Sequence, residues 1–380
     1  MIQLIRSLAA PLLSLVLLIM ASGLFNTFVS VRLEMEGYGP EAIGLVSSAL
    51  YIGILCGSLR VDRLIGRIGH VYSLMLFAVS LSLLSLAQGV WINPWYWGVL
   101  RFCGGVSTAG VFIVIESWLL IQSTPKTRGA ILSIYLGVFY GALTLGQFLI
   151  NLSDPKGSVP FYITAILCLL ATCPLLLRKT QEPKIDQAVR LGLTQLFRLS
   201  PLGFIGGIIS GMVLAAVYGL VPVYAKEIGL SIPEIANLMA MIIFGGLSLQ
   251  WPLGRWADRG GNRRQILYLA SFLSAIFAFS IALVSHSLLL FLLAWAFGGF
   301  AFTLYPLSMA YTCEKVQDGE IVAATGGFVL SYGIGAIAGP ILAPIAMDFF
   351  GSSGLFYFLS AISLLLGLIG LATENKETVS

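Results

Sequence analysis

Residues 8–31 read LAAPLLSLVLLIMASGLFNTFVSV and contain no charged side chain. As an α-helix this stretch would be about 36 Å long, which exceeds the ~30 Å hydrocarbon core of a membrane. A helix satisfies its backbone polar groups within one segment, as hydrocarbon requires. The stretch therefore predicts a transmembrane helix.

The composition extends this prediction to the whole chain. Of 380 residues, 58% are hydrophobic and 10% are charged, whereas a soluble domain has about 25% charged residues. A soluble globular protein is excluded, and nucleic-acid binding has no support. At about 20 residues per span plus short turns, the length allows about twelve spans.

Charged and turn residues divide the chain into twelve apolar stretches. Each is predicted to be a helix, so we expect an all-α polytopic membrane protein. The predicted spans are residues 8–31, 41–59, 71–90, 95–120, 129–151, 159–177, 202–225, 234–254, 265–285, 287–312, 321–346 and 353–372.

The distribution of positive charge predicts the orientation. Seventeen of the 21 Lys and Arg residues fall on the side of the N-terminus. Arg32, Lys156 and Lys226 fall on the other side, and Arg101 lies within a span. Because positive loops stay in the cytoplasm, both termini are expected there, with the chain in the plasma membrane.

Four sequence pairs recur in order and in matching spans, which indicates duplication of a six-helix unit. Two such units share one orientation and are related by a pseudo-two-fold axis along the membrane normal. The pairs are Pro40-Glu41 with Pro233-Glu234, Asp62-Arg63 with Asp258-Arg259, Gly104-Gly105 with Gly298-Gly299, and Tyr140-Gly141 with Tyr332-Gly333, at offsets of 192 to 196 residues.

The longest non-apolar stretch separates six spans from six. We expect an N-terminal bundle in residues 1–177, a cytoplasmic linker in residues 178–200 and a C-terminal bundle in residues 201–380. The linker is interpreted either as a segment on the membrane surface or as a tether.

Two cytoplasmic turns in corresponding positions combine glycines, an aspartate and arginines. Glycines permit close backbone approach, an aspartate can accept amide hydrogens at a helix start, and arginines can bridge to carboxylates. The turns therefore permit a latch, and its candidate residues are Gly57, Asp62, Arg63, Gly66 and Arg67 in the first copy and Gly254, Asp258, Arg259, Gly261 and Arg263 in the second.

These turns resemble the signature of the major facilitator superfamily, in which Gly, three residues, Asp, Arg, one residue and Gly precede basic residues. The second copy fits except at Asn262, whereas the first has one extra residue before Asp62 and another before Gly66. Residues 66–70 (GRIGH) and 116–119 (ESWL) resemble the YcaD-type branch of bacterial facilitators. The resemblance implies rocker-switch transport in the inner membrane, with a latch that stabilises the outward-open state.

Arg101 lies about five residues into the fourth span, where an unpaired charge is costly and indicates a functional site. The motif Arg101-Phe-Cys-Gly-Gly105 resembles one in proton-coupled facilitators. In the second copy of the repeat, Trp295 takes the position of Arg101, so the scaffold does not require a cation there. The alternative is an arginine that snorkels to the surface or braces helices.

Glu116 is fifteen residues from Arg101, about 22 Å along the helix, so the two cannot pair. We expect Glu116 near the cytoplasmic end of its span, within reach of Arg128 or of the first turn. A latch salt bridge is the first interpretation, and a proton-carrying carboxylate is the alternative.

Polar residues form stripes on two spans. Tyr140, Thr144, Gln147 and Asn151 share one face of span 5, and Ser22, Asn26 and Ser30 share one face of span 1. They could line a path for an anionic or zwitterionic solute or simply bond helices together. The candidate substrate or coupling residues are Arg101, Asn26, Gln147, Tyr140 and Thr108.

These features favour a secondary transporter that moves a small organic solute by alternating access, with proton coupling expected. Efflux by proton antiport is one alternative, and a receptor that binds without transport is another. The apolar spans hold no Ser/His/Asp set, so an enzyme is not expected. We expect a monomer in the lipid bilayer with no cofactor and no metal.

Overall fold

The computed structural model describes residues 2–121, 128–176, 193–259, 262–284, 287–316 and 321–377, and within these ranges the regular structure is entirely helical. The linker residues 178–192 lie outside the described part. The helices are α1 (Ile2–Met35), α2 (Pro40–Ser58), α3 (Val61–Ile68), α4 (His70–Gln88), α5 (Pro94–Ile121), α6 (Arg128–Phe148), α7 (Val159–Leu170), α8 (Cys173–Leu176), α9 (Leu193–Leu199), α10 (Pro201–Glu227), α11 (Ile232–Asp258), α12 (Arg263–Leu283), α13 (Leu288–Glu314), α14 (Ile321–Phe350) and α15 (Gly354–Glu377).

Twelve segments of the described chain are long and apolar enough to cross a membrane, as predicted. The sixth, Val159–Leu176, is interrupted between α7 and α8. Pro174 lies at this break, and its missing N–H group removes one helical hydrogen bond. The predicted fold class, an all-α polytopic membrane protein, is confirmed.

The described residues form two compact units. The first comprises residues 2–38 and 49–176, and the second comprises residues 39–48 and 193–377. The start of α2 therefore belongs to the second unit, where the Ser48 hydroxyl donates to the carbonyl oxygen of Ile337 at 2.9 Å.

The two units repeat the same helix pairings. In the first, α1 packs on α6 and α7, and α4 packs on α5 and α7. In the second, α10 packs on α14 and α15, and α12 packs on α13 and α15. Each of these four pairings in one unit thus has its counterpart in the other, as a duplicated six-helix unit predicts.

One close backbone contact recurs in both units. A methyl group added to Gly146 of α6 would clash with the backbone of Met20 in α1, and one added to Gly339 of α14 would clash with Met212 in α10. The glycines are 193 residues apart and the methionines 192 residues apart. The duplicated sequence therefore preserves this close contact between two helices.

The short helix α9 packs on α10 and α14 of the second unit. Leu196 is fully buried against Ala324 and Phe328, with Phe204 beside them. The described end of the predicted linker is therefore a packed helix, held by apolar contacts.

We predict that Gly146→Ala and Gly339→Ala each reduce the free energy of unfolding by about 1–3 kcal/mol, because the added methyl forces two backbones apart. Gly137→Ala, also in α6, is the control, since nothing lies within 4 Å of the added carbon. Unfolding in detergent, followed by intrinsic fluorescence, would measure the effect. Equal stability of all three variants would contradict the close contact.

Candidate functional site

Arg101 is a buried cation in the first unit, with 7% of the residue exposed. Helix α5 carries it, and its Nη2 donates to Asn26 Oδ1 of α1 at 2.5 Å. The guanidinium carbon lies 5.8 Å from the centre of the Phe25 ring, and Tyr51 interacts with it electrostatically. The structure thus brings two of the predicted site residues, Arg101 and Asn26, into direct contact.

The Arg101 guanidinium is incompletely satisfied. Its Nε is buried and has no hydrogen-bond partner among the described residues. Its one side-chain partner there, Asn26, is a neutral amide, which in turn donates to Ser22 Oγ at 3.2 Å. A buried positive charge without a negative partner is electrostatically suited to bind an anion.

Gln147 lies in α6 and bonds to residues of α1 on either side of Asn26. Its Oε1 accepts from Thr27 Oγ1 at 2.5 Å, and its Nε2 donates to the carbonyl oxygen of Gly23 at 3.0 Å. The side chain is 1% exposed. Both bonds join α6 to α1, which is the helix-packing alternative considered for this residue.

Two threonines near these candidates bond within their own helices. Thr108 Oγ1 donates to the carbonyl oxygen of Gly104 at 2.9 Å, and Thr144 Oγ1 donates to that of Tyr140 at 2.8 Å. The Tyr140 ring packs edge-on against Phe139. Neither of these two threonine bonds reaches Arg101.

The second unit has different chemistry at the corresponding positions. Trp295, the counterpart of Arg101, donates from Nε1 to Ser248 Oγ of α11 at 3.0 Å. Tyr218, which lies 192 residues after Asn26, packs edge-on against Phe302. A polar pair in one unit is thus replaced by aromatic residues in the other.

The first of the two turns predicted to form a latch contains a helix that the sequence did not predict. Helix α3 takes up the extra residues of this copy and buries Val61 and Ile65. It ends at Gly69, whose φ of 81° lies in the left-handed region that favours glycine. Asp62 lies in the first turn of α3, before the third predicted span, which begins at residue 71.

The other predicted residues of this turn lie at the end of α2 and within α3. Gly57 packs against the backbone of Val106 in α5, while Arg63, Gly66 and Arg67 are exposed. The sequence difference between the two turns is therefore accommodated by one extra amphipathic helix.

The second turn is shorter, since α11 ends at Asp258 and α12 begins at Arg263. Asn262, which departs from the basic pattern, caps α12 by accepting from the backbone N–H groups of Arg264 and Gln265. Arg263 pairs with Glu314 of α13 at 2.9 Å, and Arg259 is exposed. Helix α11 contains Gly254 and ends at Asp258.

Some of the predicted latch positions cannot be placed. Gly261 and the side chains of Asp258 and Arg128 lie outside the described part of the structure. The predicted latch partners therefore remain a prediction.

Glu116 accepts a hydrogen bond from Tyr135 of α6 at 3.0 Å from Oη to Oε1. Its neighbour Ser117 bonds to His70 Nε2 of α4 at 3.0 Å. Through these two bonds, α5 is linked to α6 and to α4. Tyr135 was not among the predicted partners of Glu116, because a residue nineteen positions away on another helix gives no local sequence signal.

Sequence reasoning also missed the role of Arg32. This residue pairs with Glu36 at 2.8 Å and donates to the carbonyl oxygens of Pro155 and Lys156. It therefore attaches α1 to the loop before α7. The Arg32/Glu36 spacing of four residues was the one available signal.

Comparison with known proteins gives one consistent result. The family model of the Major Facilitator Superfamily matches residues 12–248 and 203–378. An uncharacterized MFS-type transporter YcaD from Escherichia fergusonii is 33% identical over 374 residues, covering 96% of each chain. Its namesake in Escherichia coli O9:H4 is 34% identical over 357 residues, covering 92% of this chain and 91% of that protein.

Two solved structures share the fold. The nucleoside transporter NupG has a TM-score of 0.78 at 15% identity, with 96% of this chain and 98% of that chain covered. A D-xylose-proton symporter has a TM-score of 0.76 at 15% identity, with 96% of each chain covered. At this identity the likeness concerns the fold alone.

We predict that Gln147→Leu lowers the free energy of unfolding by about 1–3 kcal/mol, because Thr27 and the Gly23 carbonyl lose their partner. Thr144→Val is the matched control, since this hydroxyl bonds within its own helix. Thermal unfolding in detergent would compare the two variants. A Gln147→Leu protein as stable as the control would show that these bonds do not hold α1 against α6.

Proposed function

The chain belongs to the major facilitator superfamily, and from this premise we propose that it is a secondary transporter that moves a small organic solute by alternating access. Its twelve apolar helices make it a multi-pass membrane protein, and its family is one of transporters rather than enzymes. We expect two six-helix bundles joined by the linker in residues 178–200, with both termini in the cytoplasm.

The observation that carries this proposal is the buried charge of Arg101. An ionised side chain inside a membrane span is costly and marks a substrate or ion site by default. Arg101 occurs in one half of a duplicated scaffold, and Trp295 takes its place in the other. Since the second copy of the scaffold has no cation at this position, Arg101 is explained better by function than by packing. Asn26 positions its guanidinium through the hydrogen bond at 2.5 Å.

The paired turns support a conformational cycle. Duplicated units with a repeated packing scheme suit rocking of one bundle against the other. We propose that the turns around Asp62 and Asp258 stabilise one state of this cycle. Coupling to protons is the expected energy source. For Glu116, a latch salt bridge is the first interpretation and a proton-carrying carboxylate is the alternative.

We expect Arg101→Ala to fold normally and to lower solute flux about tenfold or more, because a charged hydrogen-bond donor contributes about 1.5–3 kcal/mol. Arg198→Ala, which removes an exposed arginine of α9, is the control. Solutes found by thermal stabilisation would be tested for flux in proteoliposomes. Unchanged flux in the Arg101→Ala protein would remove this residue from the mechanism.

Asp258→Asn should slow the transport cycle about fivefold or more while leaving solute affinity nearly unchanged, because a latch changes the balance between conformations rather than the binding site. Asp348→Asn, which neutralises an exposed carboxylate near the end of α14, is the control. Parallel binding and flux measurements separate the two effects. A large loss of affinity would contradict the latch.

The same assays separate transport from the receptor alternative. A transporter-like receptor would bind the solute in detergent and give no flux in proteoliposomes. Flux driven outward by an inward proton gradient would instead support efflux by antiport.

A further inference from the structure

Two buried arginines of the first unit differ in how their charge is balanced. Arg32 is 8% exposed and Arg101 is 7% exposed. Arg32 has a carboxylate partner, Glu36, at 2.8 Å, and two loop carbonyl oxygens accept from its Nη1. Arg32 is thus neutralised and satisfied as a structural arginine should be.

Arg101 has no such set of partners. Among the described residues it makes one side-chain hydrogen bond, to the neutral amide of Asn26, and its Nε has none. The Phe25 ring offers a weak cation–π contact at 5.8 Å. A neutral amide and an aromatic face do not replace the water that a guanidinium loses on burial.

Asn26 is itself constrained to face the guanidinium. Its Nδ2 donates to Ser22 Oγ at 3.2 Å, which leaves Oδ1 as the atom that accepts from Arg101. The next residue, Thr27, is fixed to Gln147 of α6 at 2.5 Å. The acceptor is therefore supplied by a rigid part of α1, and the other donors of the guanidinium are left for a different partner.

We infer that the transported solute carries a carboxylate and that this carboxylate supplies the counter-charge of Arg101. The inference rests on the proposed transport function and names its substrate class, an organic anion. A guanidinium presents a planar fork of N–H donors that matches a carboxylate with two parallel hydrogen bonds. A neutral solute would leave the buried charge uncompensated.

The first test needs no solute. Arg101→Met removes an uncompensated charge, so its apparent unfolding temperature should equal or exceed that of the unaltered protein. Arg32→Met is the matched comparison, and it should unfold at a lower temperature, because the loop carbonyls lose their donor. If Arg101→Met is destabilised as much as Arg32→Met, Arg101 is a structural brace and the inference fails.

The second test isolates the negative charge of the ligand. Carboxylates from acetate to benzoate and nicotinate, each paired with its own amide, would be screened for thermal stabilisation of the full-length protein in detergent. At least one acid should bind about tenfold or more tightly than its amide, and Arg101→Met should abolish the preference. Binding of amides in preference to acids, or no binding by any acid, would overturn the inference.

Flux measurements separate this inference from the function on which it rests. An acid that binds through Arg101 and is never carried into proteoliposomes would refute transport and leave the anion site standing. A neutral solute that is carried at the same rate by the unaltered protein and by Arg101→Met would support transport and refute the anion site.

Discussion

The polar chemistry of the first unit depends on a close backbone contact between α1 and α6. Gly146 allows α6 to approach Met20, and at this separation Gln147 reaches both Thr27 and Gly23 of α1. These bonds fix the turn of α1 that carries Asn26. In hydrocarbon, such packing and hydrogen bonding must hold helices together, since lipid is as apolar as the side chains it meets.

The duplicated scaffold separates structure from function. Both units retain the glycine contact, with Gly339 against Met212 in the second. They differ in their polar contacts, because Trp295 bonded to Ser248 replaces Arg101 bonded to Asn26. A feature that both copies share is explained by packing, whereas a costly charge in one copy calls for a functional reason.

The two turns that share the Asp-Arg pattern adopt different structures. In the second copy the side chain of Asn262 caps the start of α12, four residues after the end of α11. In the first copy the longer loop folds into α3 and turns at Gly69. The corresponding first residues of the next span, His70 and Arg263, then both bond to the helix that follows, at Ser117 and Ala310.

The sequence by itself determined the number of spans and the helical fold class, because a chain in hydrocarbon has to satisfy its backbone groups within each apolar segment. It also indicated the repeat and singled out Arg101, since a charge within an apolar stretch is visible without coordinates. The short helix α3 and the packing of α9 were not predicted, because short segments lack a periodic signal.

Only the tertiary structure decided which polar residues meet. Asn26 and Gln147 gave the same signal in the sequence, yet one contacts Arg101 and the other bonds α6 to α1. Likewise, the partner described for Glu116 is Tyr135, whereas the sequence suggested Arg128 or an arginine of the first turn. Helical periodicity fixes the face on which a side chain lies, whereas its partner depends on which helix crosses that face and how closely.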